Sequence, residues 1–213
     1  LERIYSVFAK LKVNNIAKKI ITVAGTNGKG STVSFLESIL SKNNFNVGTF
    51  TSPHILKYNE RIKINGIQID DESLLDVFEL IDQKRGDTTL TYFEFATLSA
   101  FYLFSKSDLD VAVLEVGLGG RLDATNIVDS DISIITSIGI DHTEFLGNTI
   151  DSIALEKAGV MRPFKKSIFA QEKPPSALFN YAKNKSVNLL IHNNDYTVVR
   201  NADSWSISSK FLS

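Results

Sequence analysis

A glycine-rich turn around one lysine is the stretch whose residue types most directly suggest chemistry. It reads Gly25-Thr26-Asn27-Gly28-Lys29-Gly30-Ser31-Thr32, and it lies between a β-branched run and an apolar pattern of helical period. Backbone N–H groups at a helix N-terminus attract anions, and glycines allow those groups to turn toward one point. The turn therefore predicts a phosphate site, although Val23 and Gly30 stand where the Walker pattern has Gly and Ser or Thr.

Further polar residues stand at the ends of other predicted strands. Ser52 follows the second strand and Glu115 ends the third, while Asp141 and His142 follow the fourth. Ligands of wound α/β sheets bind beyond the carboxyl ends of the strands. We therefore expect these side chains to share one crevice with Lys29.

Glu115 is unusual because it interrupts the apolar run 111–116. A buried carboxylate costs several kcal/mol unless it is paired or bound to a cation. A phosphate-bound Mg²⁺ would supply that cation, since the ion prefers hard oxygen ligands. The alternative is a buried ion pair, for instance with Arg121.

Two other candidates have ordinary explanations when they are judged by residue type alone. A lone histidine after a strand, such as His142, is more often a hydrogen-bonded loop residue than a metal ligand. Lys157 follows Glu156 in a predicted helix, where a solvated lysine is the default expectation.

Strands that alternate with helices predict an α/β fold with a mostly parallel, doubly wound sheet and a P-loop. A small β-pair is expected near the C-terminal end. Predicted helices cover 1–11, 31–42, 70–81, 92–105, 149–160 and 174–185. Predicted strands cover 20–24, 45–51, 111–116, 132–138, 167–170 and 187–191, with a hairpin at 61–69 and the pair at 196–199 and 204–211.

Composition narrows the function classes. With 43% hydrophobic and 22% charged residues the chain has the composition of a soluble globular protein. The formal net charge of −1 predicts no general attraction to nucleic acid or to membranes. The sequence has no cysteine, which excludes disulfides and thiolate metal sites, and no apolar run long enough for a membrane span. We expect a cytoplasmic protein, of which residues 1–213 are an incomplete part.

Several motifs together resemble one family. They are Gly25–Ser31, Thr51-Ser52-Pro53-His54, Thr91-Tyr92-Phe93-Glu94, the block from Glu115 to Asn126, Asp141-His142 and Glu156-Lys157-Ala158-Gly159. In this order they are similar to the folylpolyglutamate synthases/dihydrofolate synthases, the folate branch of the Mur ligase superfamily. The resemblance extends from the first helix to about Ile168.

The resemblance implies an ATP-dependent ligase that adds L-glutamate to a folate carboxylate, and in bifunctional members to dihydropteroate, through an acyl phosphate. It implies that residues 1–213 form an incomplete N-terminal ATP-binding domain of Mur ligase type. It also implies that the C-terminal ligase domain is absent from this chain. The isolated chain is then expected to be inactive. A monomer without nucleic-acid or membrane partners is expected. The alternatives are a P-loop kinase or NTP hydrolase, and a non-catalytic nucleotide-binding fragment.

The resemblance also assigns roles to residues. ATP phosphates would contact the turn 25–32, with Lys29 on the β and γ oxygens. Two Mg²⁺ ions are implied, with K⁺ as a further cation. One Mg²⁺ would be held by Ser52 and Glu115, and the second by His142 and a carbamylated Lys157. The implied catalytic residues are Lys29, Glu115, His142 and Lys157. The folate or pterin would lie near Thr91, Tyr92, Phe93 and Glu94, and near Leu122, Asp123 and Ala124.

Overall fold

The computed structural model describes residues 1–209, and its centre is an eight-stranded sheet. The strands are β1 (Lys19–Ala24), β2 (Val47–Phe50), β3 (Ile62–Ile64), β4 (Ile67–Gln68), β5 (Val111–Glu115), β6 (Ile132–Ile135), β7 (Lys166–Phe169) and β8 (Asn188–Ile191). Their order is β4-β3-β2-β5-β1-β6-β7-β8. Six neighbouring strands in this order run parallel to one another: β2, β5, β1, β6, β7 and β8. The β3–β4 hairpin adds two antiparallel strands at the edge next to β2. The predicted fold class is confirmed.

Helices cover both faces of this sheet. They are α1 (Glu2–Lys10), α2 (Lys29–Lys42), α3 (Asp71–Arg85), α4 (Tyr92–Ser105), α5 (Thr143–Leu146), α6 (Ile150–Ala158) and α7 (Ser176–Asn184). On β5, Val111 and Val113 pack toward α2, whereas Ala112 and Leu114 pack toward α1, α3 and α4. This alternation shows why the strand is apolar throughout, because a parallel sheet is buried on both sides.

Local signals place the beginnings of α3 and α4 where the sequence predicts them, although α3 continues to Arg85. The Asp70 carboxylate accepts a hydrogen bond from the Ser73 N–H at 2.7 Å and caps α3. Thr91 and Glu94 form a reciprocal capping box at the start of α4. Helix α4 is apolar nearly all round and is buried over most of its length, as expected.

The differences from the sequence prediction are mostly at element ends. Strand β2 is shorter than the predicted 45–51, and β6 ends at Ile135, so that 136–139 forms a loop. Two short 3₁₀ helices, Tyr58–Arg61 and Ala124–Ile127, and the single turn of α5 were not predicted. They contain too few residues for a periodic apolar pattern to reveal them.

A separate antiparallel pair ends the described chain. It consists of β9 (Tyr196–Arg200) and β10 (Trp205–Ser209). The predicted pair is confirmed over these residues, while the end of its predicted second strand, at Lys210 and Phe211, lies outside the described residues. None of the helices within 1–209 combines the length and hydrophobicity that crossing a bilayer requires.

Candidate active site

The glycine-rich turn joins β1 to α2 and is fastened to the loop that follows β6. A Cβ atom on Gly25 would lie 1.9 Å from the Oγ1 of Thr136, so only glycine fits against this neighbour. Gly28 has φ +82° and begins α2 in the left-handed region. The Asn27 N–H donates to the Ser137 Oγ at 3.0 Å, and the Thr136 hydroxyl donates to the Asn27 carbonyl at 2.6 Å. The turn is therefore preformed.

Lys29 is half-buried and its ammonium group bonds to the turn itself. Its Nζ donates to the Gly25 carbonyl at 3.1 Å and to the Thr26 carbonyl at 3.4 Å. Ser31 is exposed at the start of α2, whereas the Thr32 hydroxyl donates to the Gly28 carbonyl at 2.8 Å. A phosphate on this turn would compete with the two carbonyl groups for the ammonium of Lys29.

Glu115 is buried beside the turn. It is only 4% exposed, and its Oε2 accepts the N–H of Ser52 at 3.0 Å. Burial raises the pKa of the Glu115 carboxyl, while the Ser52 N–H and the charge of Lys29 partly oppose that rise. Arg121 instead pairs with Glu156, Nη2 to Oε1 at 2.7 Å, so the alternative of a Glu115–Arg121 pair is wrong.

The surroundings of Glu115 fit a divalent cation bound together with a phosphate. No salt bridge to Glu115 is found among the described residues. Nor does any cluster of three or more His, Cys, Asp or Glu side chains suitable for a metal occur within 1–209. The Glu115 carboxylate and the Ser52 hydroxyl would be the protein oxygens, and the phosphates would have to complete the shell. Such a shell suits Mg²⁺, which prefers oxygen ligands and is often bound through one carboxylate and substrate phosphates.

Lys157 is not the solvated helix residue that its neighbour Glu156 suggests. It is 3% exposed, and its pKa is lowered to about 8 by desolvation first and then by the charge of Lys29, with Asp141 acting in the opposite direction. A cavity of about 50 Å³ is lined by Lys29, Asp141, His142 and Lys157. The structure therefore brings these sequence candidates together.

His142 is the most exposed member of this group. Its side chain is 57% exposed, and its backbone has φ +47°. The N–H of His142 donates to the carboxylate of Asp141 at 2.9 Å. The imidazole Nε2 lies 3.7 Å from the Oδ2 of Asp141, whose side chain is itself 48% exposed.

A larger cavity of about 470 Å³ lies next to the small one. Its lining includes six of the seven residues expected near a folate: Thr91, Phe93, Glu94, Leu122, Asp123 and Ala124. Leu118 and Leu146 line both cavities, so the two spaces share a wall. Arg3, Phe145 and Glu156 also line the larger cavity and were not predicted there from the sequence. Glu156 belongs to the motif 156–159, but the sequence prediction used it only as the neighbour of Lys157.

Asp123 is held by the loop that it closes. Its carboxylate accepts the N–H groups of Gly117, Leu118 and Thr125 at 2.9 to 3.1 Å and the Thr125 hydroxyl at 2.6 Å. Burial raises the pKa of the Asp123 carboxyl, against these four donors. The main task of this carboxylate in the structure is to fold the segment from Gly117 to Thr125.

Tyr92 is the expected folate residue that does not line the large cavity. Its ring packs edge-on against Tyr58, with ring centres 5.4 Å apart, and the guanidinium carbon of Arg61 lies 5.2 Å from its centre. Phe93, the next residue, faces the cavity and approaches Gly117, where a Cβ would lie 2.7 Å from its Cζ. Neighbouring aromatic residues at the start of α4 therefore point to different sites.

Comparison with known proteins gives one consistent result. Residues 23–203 match the model of the Mur ligase middle domain. The chain is 45% identical over 210 residues to the dihydrofolate synthase/folylpolyglutamate synthase of Haemophilus influenzae, covering 99% of this chain and 48% of that protein. It is 48% identical over 185 residues to the Escherichia coli protein of the same name, covering 87% of this chain and 44% of that protein.

Solved structures agree with this result. E. coli FolC in complex with DHPP and ADP superposes with a TM-score of 0.96 at 44% identity, over 99% of this chain and 51% of that one. The bifunctional folylpolyglutamate synthase/dihydrofolate synthase of Yersinia pestis with AMPPNP and Mn ion gives a TM-score of 0.94 at 44% identity, over 99% and 51%. The chain spans about half the length of the relatives that it matches.

Proposed function

This chain belongs to the Mur ligase family, and we propose that it is the ATP-binding part of a folylpolyglutamate synthase/dihydrofolate synthase. The reaction joins the amino group of L-glutamate to a folate carboxylate, and also to that of dihydropteroate, with ATP converted to ADP and phosphate. One observation carries the proposal. The phosphate-binding turn and the 470 Å³ cavity share the wall formed by Leu118 and Leu146.

That shared wall favours a ligase over a kinase or an NTP hydrolase. A carboxylate is a poor electrophile and must first accept a phosphoryl group as an acyl phosphate. A molecule in the large cavity can extend its carboxylate past Leu118 toward a nucleotide on the turn. Holding the two reactants together in this way supplies much of the rate enhancement of phosphoryl transfer.

The turn and Lys29 bind the ATP phosphates. The backbone N–H groups at the start of α2 face the anion, and the Lys29 ammonium leaves its two carbonyl partners for the β and γ oxygens. Glu115 and Ser52 would hold the first Mg²⁺. When bound, that ion supplies positive charge that offsets the repulsion between the phosphate and the incoming carboxylate.

Lys157 has the properties of a lysine that reacts with CO₂. An amine with a pKa of about 8 is largely neutral at slightly alkaline pH, and the neutral amine is the nucleophile. Its nitrogen forms a bond to the carbon of CO₂ and releases one proton, which leaves a carbamate anion. That anion and His142 line the same small cavity and would hold the second Mg²⁺. No side chain within 1–209 is assigned to K⁺.

The large cavity takes the pterin. Phe93 and Leu122 give it apolar walls, while Thr91 and Glu94 give it polar groups. Flat heterocycles stack on aromatic rings, which makes Phe93 the stacking residue. The Thr-Tyr-Phe-Glu motif at 91–94 resembles that of bifunctional members, so dihydropteroate and folate are both proposed as substrates.

We also propose that residues 1–213 are an N-terminal ATP-binding domain and that a C-terminal ligase domain completes the glutamate site. The half-length match to the relatives supports this division. So do Ile168 and Leu190, which are adjacent in register on β7 and β8 and remain half-buried on the sheet face opposite α6 and α7. Strands of a parallel sheet are normally covered on both faces. A monomer is expected in sedimentation.

The test is ADP release from ATP and Mg²⁺, measured with this chain alone and with this chain fused to the C-terminal half of the E. coli relative. We expect the fusion to release ADP only when both L-glutamate and dihydropteroate or folate are present, and the chain alone to release little. ADP release that does not depend on glutamate would assign the chain to the hydrolases or kinases instead. Robust ligation by the chain alone would show that the second domain is dispensable.

A further inference from the structure

The segment Thr51–Lys57, which follows β2, leaves both of its large aliphatic side chains exposed. Ile55 and Leu56 are 88% and 87% exposed. Yet the segment carries Ser52, whose N–H lies 3.0 Å from the Glu115 carboxylate. Hydrogen bonds must therefore provide the order that apolar contacts do not.

Glu60 supplies these bonds for the second half of the segment. Its carboxylate accepts the N–H groups of Ile55, Leu56 and Lys57 at 2.8, 2.9 and 2.8 Å. The same three donors lower the pKa of Glu60, so the carboxyl is ionised at neutral pH. One side chain thereby fixes three consecutive peptide groups.

Arg61 supplies the bonds for the first half. Its carbonyl accepts the Thr51 N–H at 2.9 Å, and its Nε donates to the Nδ1 of His54 at 2.8 Å. Arg61 is only 7% exposed, and no carboxylate within 1–209 forms a salt bridge with it. Its guanidinium carbon instead lies 5.6 Å from the ring centre of Tyr58 and 5.2 Å from that of Tyr92. Both rings lie within the distance range of a cation–π contact with Arg61.

We propose that Glu60 and Arg61 are positioning residues that hold Ser52 against Glu115, and that Tyr92 contributes to the reaction by clamping Arg61 rather than by touching the pterin. Two consecutive residues, Glu60 and Arg61, thus bond to the second and the first half of the segment 51–57, respectively. The inference rests on the proposed function for its metal, since Ser52 and Glu115 would be the first Mg²⁺ site. It concerns only residues of this chain and can be measured without turnover.

The first experiment is hydrogen–deuterium exchange of the chain without metal or nucleotide. Glu60→Gln is compared with Glu79→Gln, which makes the same change at an exposed position of α3. We expect faster exchange of the Ile55, Leu56 and Lys57 amides in Glu60→Gln only, with unchanged exchange in the turn 25–32. Unchanged exchange at 55–57 would overturn the proposal.

The second experiment measures Mn²⁺ affinity in the presence of AMPPNP, from the free Mn²⁺ signal in electron paramagnetic resonance. We expect Glu60→Gln, Arg61→Lys and Tyr92→Leu to weaken Mn²⁺ binding about tenfold, as is usual when groups behind a metal ligand are changed. Glu60→Asp, which keeps the carboxylate, is expected to recover part of the loss. Thermal unfolding is measured for each variant, so that loss of fold is recognised.

The outcomes separate this inference from the proposed function. If the unmodified chain binds no Mn²⁺ with AMPPNP, the proposed metal site fails, and the exchange experiment still decides whether Glu60 orders the segment. If the unmodified chain binds Mn²⁺ and the folded variants bind it equally well, the metal site stands and the positioning role is wrong.

Discussion

Lys29 and Lys157 line the same cavity of about 50 Å³, and the charge of Lys29 contributes to the lowered pKa of Lys157. The Asp141 carboxylate lines the same cavity, so two ammonium groups and one carboxylate face this space. A phosphate oxygen beside Lys29 and a carbamate at Lys157 would be anions that offset the remaining positive charge. The pairing would let one site accept the phosphates of ATP and, beside them, the carbamate that we propose at Lys157.

The lowered pKa of Lys157 predicts how stability depends on pH. In the folded chain this pKa is about 8, against an ordinary value of 10.5 for lysine, so the unfolded chain binds more protons between these limits. The free energy of unfolding should then rise from pH 8 to pH 10.5 by about 3 kcal/mol from this residue alone. Urea unfolding of Lys157→Met in CO₂-free buffer should lack the rise.

Lys84→Met is the matched control for that experiment, since Lys84 is exposed on α3. The control should keep the pH dependence of the unmodified chain. If the free energy of unfolding changes with pH in the same way in the unmodified chain and in Lys157→Met, the pKa of Lys157 is not lowered by burial.

Removal of the Lys29 charge should weaken nucleotide binding and leave the fold intact. Lys29→Ala loses a charge-assisted contact to phosphate, which predicts a roughly 10- to 100-fold lower affinity for AMPPNP with Mn²⁺. Isothermal titration calorimetry measures the affinity, with Lys84→Ala as the control. An unchanged affinity in Lys29→Ala would mean that the nucleotide does not lie on the turn.

Glu115→Gln should separate stability from metal binding. Because burial raises the pKa of this carboxyl, the ionised group destabilises the fold at neutral pH in the absence of metal, and the neutral amide should raise the thermal midpoint. Mn²⁺ binding should be lost in the same variant. A lower midpoint with Mn²⁺ affinity retained would contradict both expectations.

Asp123→Asn should loosen the loop between β5 and the 3₁₀ turn at 124–127. The carboxylate accepts four hydrogen bonds, two at each oxygen, so an amide NH₂ in place of either oxygen would face two of those donor groups. Leaving a buried group unsatisfied costs about 1 to 3 kcal/mol in the free energy of unfolding, measurable in urea. If Asp123→Asn is as stable as the unmodified chain, the loop does not depend on this carboxylate.

Phe93 and Tyr92 should respond differently in a binding experiment with dihydropteroate. Phe93→Leu removes the ring that lines the large cavity and should weaken binding about three- to tenfold. Tyr92→Leu should leave the affinity for dihydropteroate within about twofold of that of the unmodified chain, because the Tyr92 ring lies outside the cavity. Fluorescence titration gives both affinities, and equal losses would place Tyr92 in the pterin site.

Much of the site could be predicted because its parts are local. The turn 25–32 needs a strand before it and a helix after it, and both are visible in the residues on either side. Glu115 attracts attention because one carboxylate interrupts an apolar strand. The capping box of Thr91 and Glu94 likewise spans only a few residues.

Other features depend on residues that are distant along the chain. The neighbouring Glu156 favoured a solvated Lys157 in the sequence prediction. In the structure Glu156 pairs with Arg121, and Lys157 is buried near the turn. The partner of Arg121 could not be read from its own segment, in which Asp123 and Glu115 are both nearer in sequence than Glu156.

The sequence by itself determined the wound α/β fold, the phosphate-binding turn and the family, because helix period, strand pattern and motif order are local properties. Only the tertiary structure decided that Lys157 is buried, that Phe93 rather than Tyr92 faces the large cavity, and that Arg61 bonds to Thr51 and His54 in the segment that carries Ser52. Burial and electrostatics depend on which distant elements pack together, and the identity of a residue does not specify its neighbours in space.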